Sequence, residues 1–149
     1  MARFFSPSLV TPCNFFSAFL LDHNTSLAVT NVFQNLRTSF NQADVSFSSI
    51  FPVILTDNGS EFSNASAIEI GLSSEKETHL FFCYPYQSAQ KARIEKNHTL
   101  LRDILPKGHS FDNLSQADVN WICSHINSVK RHSLNGKCSY DVLHLYLRR

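Results

Sequence analysis

Apolar positions along the chain fall into two kinds of pattern, short continuous runs and stripes at helical spacing. Residues 14–21 (NFFSAFLL) form a compact Phe- and Leu-rich run, which predicts a buried strand. The polar triplet Asp22-His23-Asn24 then turns the chain, and Thr25 is placed to cap a helix reaching to about Phe40. Val29, Val32, Phe33, Leu36 and Phe40 recur at intervals of three and four, one face of that helix. Residues 41–49 are polar and Ser-rich and read as a loop. Beyond Pro52, the β-branched run Val53-Ile54-Leu55-Thr56 predicts a second strand, closed by the turn sequence Asp57-Asn58-Gly59-Ser60.

The second half alternates less and coils more. A short helix is expected over about 64–70, with Gly71 as the residue that ends it in a left-handed conformation. Residues 79–84 (HLFFCY) predict a third strand, stopped by Pro85. Ser88 opens a long helix to Leu105 with Ile94, Leu101, Ile104 and Leu105 inward, ended by Pro106-Lys107-Gly108. Ser115 with Asp118 three residues on has the form of a capping box, and the helix it opens buries Val119, Ile122, Ile126 and Val129. Asn135-Gly136 predicts a turn, and a last helix starts at Ser139 and runs toward Leu147. All four glycines fall at element ends, so turn chemistry and periodicity agree. The order of strands and helices predicts an α/β domain with a mixed sheet flanked by helices. A chain of 149 residues fits one such domain, 1–149.

Composition excludes some functions and leaves others open. With 43% apolar and 17% charged residues the chain can bury a core, so it is not a disordered tail. No run approaches the ~18 apolar residues of a membrane span, and residues 1–13 lack the charged start and apolar centre of a signal peptide. A cytoplasmic protein with no membrane partner is expected. The four cysteines (13, 83, 123, 138) form no CxxC pair and no zinc spacing with the seven histidines, and are read as reduced thiols. Residues 1–85 hold three basic and seven acidic side chains, whereas residues 86–149 hold ten and five. That asymmetry points the second half toward a polyanion.

Two carboxylates stand where chemistry would be useful. Asp57 follows a buried strand directly, the usual mouth of a site in an α/β sheet, and Gly59 lets a large ligand approach. On spacing alone Asp57 reads first as an Asx-turn that closes its own loop, and its place also fits a magnesium ligand. Glu95 lies among Lys91, Arg93, Lys96 and Arg102, where it is either the partner of Lys91 on a helix surface or a second metal ligand among phosphate-binding cations. His98 is one turn further on, as a site-lining or a surface histidine.

The stretch Val53-Ile-Leu-Thr-Asp-Asn-Gly-Ser-Glu-Phe62 resembles the second-aspartate motif of retroviral-integrase-like DDE transposases. Tyr84-Pro-Tyr-Gln-Ser-Ala-Gln-Lys-Ala-Arg-Ile-Glu-Lys-Asn-His98 resembles their glutamate motif. Pro106-Lys-Gly108, Phe111, His125-Ile-Asn127 and Asn135-Gly-Lys-Cys-Ser-Tyr-Asp141 are similar to the helical tail of the IS-thirty type of bacterial insertion-sequence transposase. The resemblance runs over about residues 14–142. It implies a ribonuclease-H-like fold in which three acidic residues bind two Mg2+ (or Mn2+) ions. These activate water or a DNA 3′-hydroxyl for attack on a phosphodiester and stabilise the leaving oxygen. It assigns Asp57 and Glu95 as catalytic and metal-binding residues. The implied partner is DNA, as transposon ends and target. The basic side chains that would contact it are Lys91, Arg93, Lys96, Arg102, Lys130 and Arg131.

The chain also departs from that family. The family's first aspartate sits on a strand upstream of residues 14–21, and residues 1–13 contain no acid. Asp22 comes after the strand that would have to precede it. The helix-turn-helix region for transposon ends has no counterpart, Ala92 stands where Gly is common, and Cys138-Ser139 replaces Thr-Pro. In the family the missing carboxylate is shared by two ions roughly 4 Å apart and screens their repulsion. The expectation is therefore a truncated core lacking its first strand, with little or no strand cleavage of its own. The alternatives are a non-catalytic DNA-binding remnant or regulator that joins full-length transposase, and a nuclease or scaffold that shares only the fold. A lost strand would also leave the Phe-rich residues 14–21 unpaired, favouring self-association or aggregation.

Overall fold

Five short strands and six helices account for the regular structure in a computed structural model that describes residues 3–5, 8–9, 13–56, 59–83, 99–106 and 113–148. In chain order these are β1 (Arg3–Phe5), β2 (Ser8–Leu9), β3 (Phe19–Leu21), α1 (Ser26–Gln42), α2 (Phe47–Ile50), β4 (Val53–Thr56), α3 (Ala65–Glu69) and β5 (His79–Phe82). They are followed by α4 (99–104), α5 (Gln116–Ser128) and α6 (Ser139–Leu147). β1 pairs antiparallel with β3. β4 is the centre of a three-stranded mixed sheet, antiparallel to β2 and parallel to β5. The expected α/β class with a mixed sheet and flanking helices is therefore present.

Successive residues of β3 face opposite sides, and this sets the layering. Phe19 and Leu21 join a core built from Val29, Phe33, Phe47, Ile50, Phe51, Ile54, Phe62, Ile68 and Leu80, the layer of α1, α2 and α3. Leu20 joins a second core with Phe16, Ala18, Val119, Ile122, Cys123 and Ile126, supported by Leu100, Leu101 and Leu105. Thus α1 and α5 lie on opposite faces of the same strand.

The stripe on α1 carries one residue that periodicity did not suggest. Arg37, one turn after Phe33, is 2% exposed. Its Nε lies 3.1 Å from Glu77 Oε2, its Nη2 donates to the Ile68 carbonyl, and its guanidinium stacks 4.5 Å from the centre of the Phe47 ring. One charge thus ties α1 to α2, α3 and the approach to β5.

Several expectations change. The strand foreseen over 14–21 is regular only at Phe19–Leu21, because Asn14 takes a left-handed conformation (φ 51°) and residues 16–18 bond to side chains of α5 instead of a neighbouring strand. Phe16 and Leu21 are buried and β1 flanks β3, so this run is not exposed as expected. Two short strands precede it, β2 lying antiparallel to β4, and residues 1–13 contribute no acid. The Ser-rich loop holds α2, since Phe47 and Ile50 bury one turn's worth of apolar surface against Phe51 and Phe40. Finally, Ile70 and Gly71 do not take a left-handed ending. Gly71 is buried because the Glu77 side chain passes over it, with Cδ only 2.1 Å from where a Cβ would stand.

The N-terminal caps at Thr25 and Ser115 are as the sequence suggests, Asp141 adds another, and the two capping carboxylates titrate. Thr25 Oγ1 accepts from Ala28 N, Ser115 and Asp118 form a reciprocal box, and Asp141 Oδ2 accepts from Cys138 N at 2.9 Å. The Ser115 hydroxyl and N–H hold the Asp118 carboxyl below its ordinary 3.8. The Cys138 N–H and thiol, with Lys130 and Lys137 nearby, do the same for Asp141. A depressed carboxylate adds stability in full above its unfolded value and loses it as pH falls through the folded one. Thermal melts followed by circular dichroism should therefore hold level down to about pH 4 and fall below it. Asp118→Asn should flatten part of that fall.

Candidate catalytic site

The place to look for chemistry is set by the two parallel strands. β4 is β-branched and apolar, with Ile54 fully buried and Thr56 only 5% exposed, so its end is fixed by the core. β5 runs beside it in register, Val53 opposite His79 and Thr56 opposite Phe82. The ladder continues one step further, where Cys83 N donates to the Thr56 carbonyl at 2.7 Å. The carboxyl ends of both strands are thus locked side by side, the edge at which an α/β sheet presents its ligands.

Asp57 is the next residue after Thr56, and Asp57 and Asn58 lie outside the described residues. So do residues 84–98, which follow Cys83 in the chain and carry Lys91, Arg93, Glu95, Lys96 and His98. What the described residues establish is that the segments bearing Asp57 and Glu95 depart from adjacent strand ends.

The chain returns at Gly59 into one 3-10 turn, Ser60–Phe62, whose Phe62 is buried in the α1 core and anchors the loop. The Glu61 carboxylate folds back over Gly59, with Oε2 2.4 Å from where a Cβ would stand. Among the described residues no three His, Cys, Asp or Glu side chains converge as a metal site.

The described cations divide. Arg102 is exposed on α4, which is seated on the α5 core through Leu101 and Leu105. Lys130 is exposed just after α5. Arg131 is different: it is 4% exposed and its Nη2 donates to the Ile126 carbonyl at 3.1 Å. Burial lowers its pKa, and its guanidinium is engaged with its own chain, so it is not the surface phosphate contact expected from the sequence. Lys137, which the sequence reading passed over, stands with Lys130 near Asp141. The seven-residue separation of the two lysines gave no sequence signal.

The remaining candidates are structural. Cys13, Cys83 and Cys123 are buried, and burial pushes the Cys123 thiol up to about 11. Glu69 accepts from Leu80 N at 2.8 Å and pairs with Lys76 at 3.0 Å. Burial alone would raise its pKa, but these two partners and His79 outweigh it and hold the carboxyl low. No described helix is long and apolar enough to cross a membrane.

Comparison with known proteins gives these strand ends a context. The chain is 31% identical over 81 residues to the transposase for an insertion sequence element of Bacteroides fragilis, a match covering 54% of this chain and 24% of the relative. It is 37% identical over 82 residues to a protein named as an integrase in a Spiroplasma virus, covering 55% of this chain and 24% of that protein. A transposase for an insertion-like sequence element of Streptococcus salivarius is 34% identical over 100 residues, covering 65% and 27% respectively. The matched stretches thus span about a quarter of these relatives. No protein-family model matches the chain.

Proposed function

The chain is related to the transposases of bacterial insertion sequences, and from that premise we propose that it carries a ribonuclease-H-like DDE core that works on DNA phosphodiester bonds in the cytoplasm, with Asp57 and Glu95 as its acidic pair. The observation that supports the reading is the bond from Cys83 N to the Thr56 carbonyl, which sets side by side the last described residues before Asp57 and before the stretch that carries Glu95.

Asp57 and Glu95 would hold Mg2+ or Mn2+, hard cations that take carboxylate, water and phosphate oxygens. Such ions, when bound, sharpen the nucleophilic oxygen and take up charge on the leaving one. The chain's own work is positional. The rigid end of β4 fixes where Asp57 leaves the core, and Phe62 anchors the return of its loop. Lys91, Arg93, Lys96 and Arg102 would meet phosphates and set the register of the duplex without reading its bases. In these 149 residues two of the family's three acids have counterparts, so the reading includes weak ion binding and little or no strand cleavage.

Titration calorimetry with Mn2+ tests it. Binding is expected, and both Asp57→Ala and Glu95→Ala should weaken it while the melting temperature holds. Binding that neither substitution changes would refute the acidic pair. Magnesium-dependent cleavage of a labelled duplex, lost in Asp57→Ala, would keep the pair and overturn the impairment.

A further inference from the structure

The junction between α5 and α6 is closed on itself. Arg131 N donates to the Lys137 carbonyl at 3.0 Å, and the Arg131 carbonyl accepts from Leu134 N and Gly136 N, each at 3.0 Å. Asn135 and Gly136 make the reversal in left-handed conformations, φ 54° and 77°. The buried Arg131 side chain holds the base of the loop to the Ile126 carbonyl. Residues 130 and 137 are thereby brought to the same end of the loop, and both lysines are exposed.

The charges around this point are few. Asp141 is occupied in capping α6 through Cys138 N, and both lysines act on its carboxylate, so all three share one neighbourhood. Exposed His132 lies within the same loop, and Asp141 is the sole acid between 129 and 141. Two mobile ammonium groups against one carboxylate already engaged with backbone leave a local excess of positive charge. Its complement is a line of closely spaced anions, which the duplex backbone presents.

We propose that Lys130 and Lys137 form a paired contact for the DNA phosphate backbone, assembled by closure of the 131–137 loop. This rests on the DNA-directed reading above and extends it to a surface built by α5 and α6, with Lys137 as a new member.

The test uses the full chain and a fluorescently labelled 30-base-pair duplex, with anisotropy measured from 50 to 250 mM NaCl. Lys130→Gln and Lys137→Gln should each make the slope of log K against log salt shallower by about 0.9, and the double variant by about twice that. The loss should be the same on duplexes of unrelated sequence, because phosphate contacts carry no base information. Lys137→Arg should keep the slope, as should Lys76→Gln, whose ammonium is paired with Glu69 elsewhere. Unchanged melting temperatures separate these effects from unfolding. A double variant with the slope of the unmodified chain would overturn the paired contact while leaving DNA binding in place. An unmodified chain that binds no duplex would overturn both.

Discussion

Glu77→Leu should lower the stability of this protein by about 3 kcal/mol or more, the larger half of an asymmetric pair. The asymmetry follows from exposure. The Arg37 side chain is 1% exposed and that of Glu77 is 29%. Removing Glu77 strands a guanidinium inside the α1 layer, where burial already lowers its pKa and Glu77 supplies the opposing pull. Its Nη1 has no hydrogen-bond partner among the described residues, so the site has little left to offer the charge. Removing Arg37 instead leaves a carboxylate that can turn to water, so Arg37→Met should cost less, although the Ile68 carbonyl loses its donor. The double variant, Arg37→Met with Glu77→Leu, should recover most of the loss, because a buried pair replaced by apolar groups of similar volume is often neutral. Urea denaturation of the three variants checks the order. In thermal melts about 3 kcal/mol corresponds to about 10 °C for a chain of this size. Equal costs for the two single variants would show that the guanidinium reaches solvent after all.

That ion pair also shows what a sequence hides. The extent of β4 could be read because a β-branched run sits between Pro52 and a turn, and α1 and α5 because Thr25 and Ser115 announce their own caps within three residues. Such signals are local, and local signals survive in text. Arg37 sits on an apolar stripe for a reason supplied by Glu77, forty residues away. α2 is a single turn, and its Ser46-Phe47 start is lost in a run of polar residues. The candidate site is a similar case. Asp57 and Glu95 stand out only by resemblance, since an aspartate in a turn after a strand and a glutamate among lysines on a helix are each commonplace. The parallel pairing of β4 with β5, which sets the strand ends before these two segments side by side, lies in a register that neither strand states alone. The Lys137 carbonyl meets Arg131 N for a similar reason, through a loop closure that no local pattern announces.

The longest-range example sets the second large effect. Asn127→Ala should destabilise the chain by about 3 kcal/mol. Asn127 is fully buried near the end of α5, and its carboxamide does for residue 16 what a neighbouring strand would do. Oδ1 accepts from Phe16 N at 2.8 Å and Nδ2 donates to the Phe16 carbonyl at 2.7 Å. Three turns earlier Gln116 repeats the pattern, accepting from Leu20 N at 2.9 Å and donating to the Ala18 carbonyl at 3.0 Å. α5 thus clamps the edge of residues 16–20 at two points. The two clamps differ in burial, and this sets their cost. Gln116 is half-buried, within reach of water that can replace it, so Gln116→Ala should cost about 1 kcal/mol. Asn127 is not, and its loss withdraws a partner from both an N–H and a carbonyl inside the second core. Asn127→Asp is the sharper probe. It keeps the acceptor for Phe16 N, loses the donor, and sets an oxygen against the Phe16 carbonyl, so it should cost at least as much as alanine at pH 7. Part of that loss should return as the carboxyl is protonated in acid. Urea titrations at pH 7 and pH 5 would read both effects. An aspartate variant as stable as the unmodified chain would mean that α5 is held to this edge by apolar packing alone.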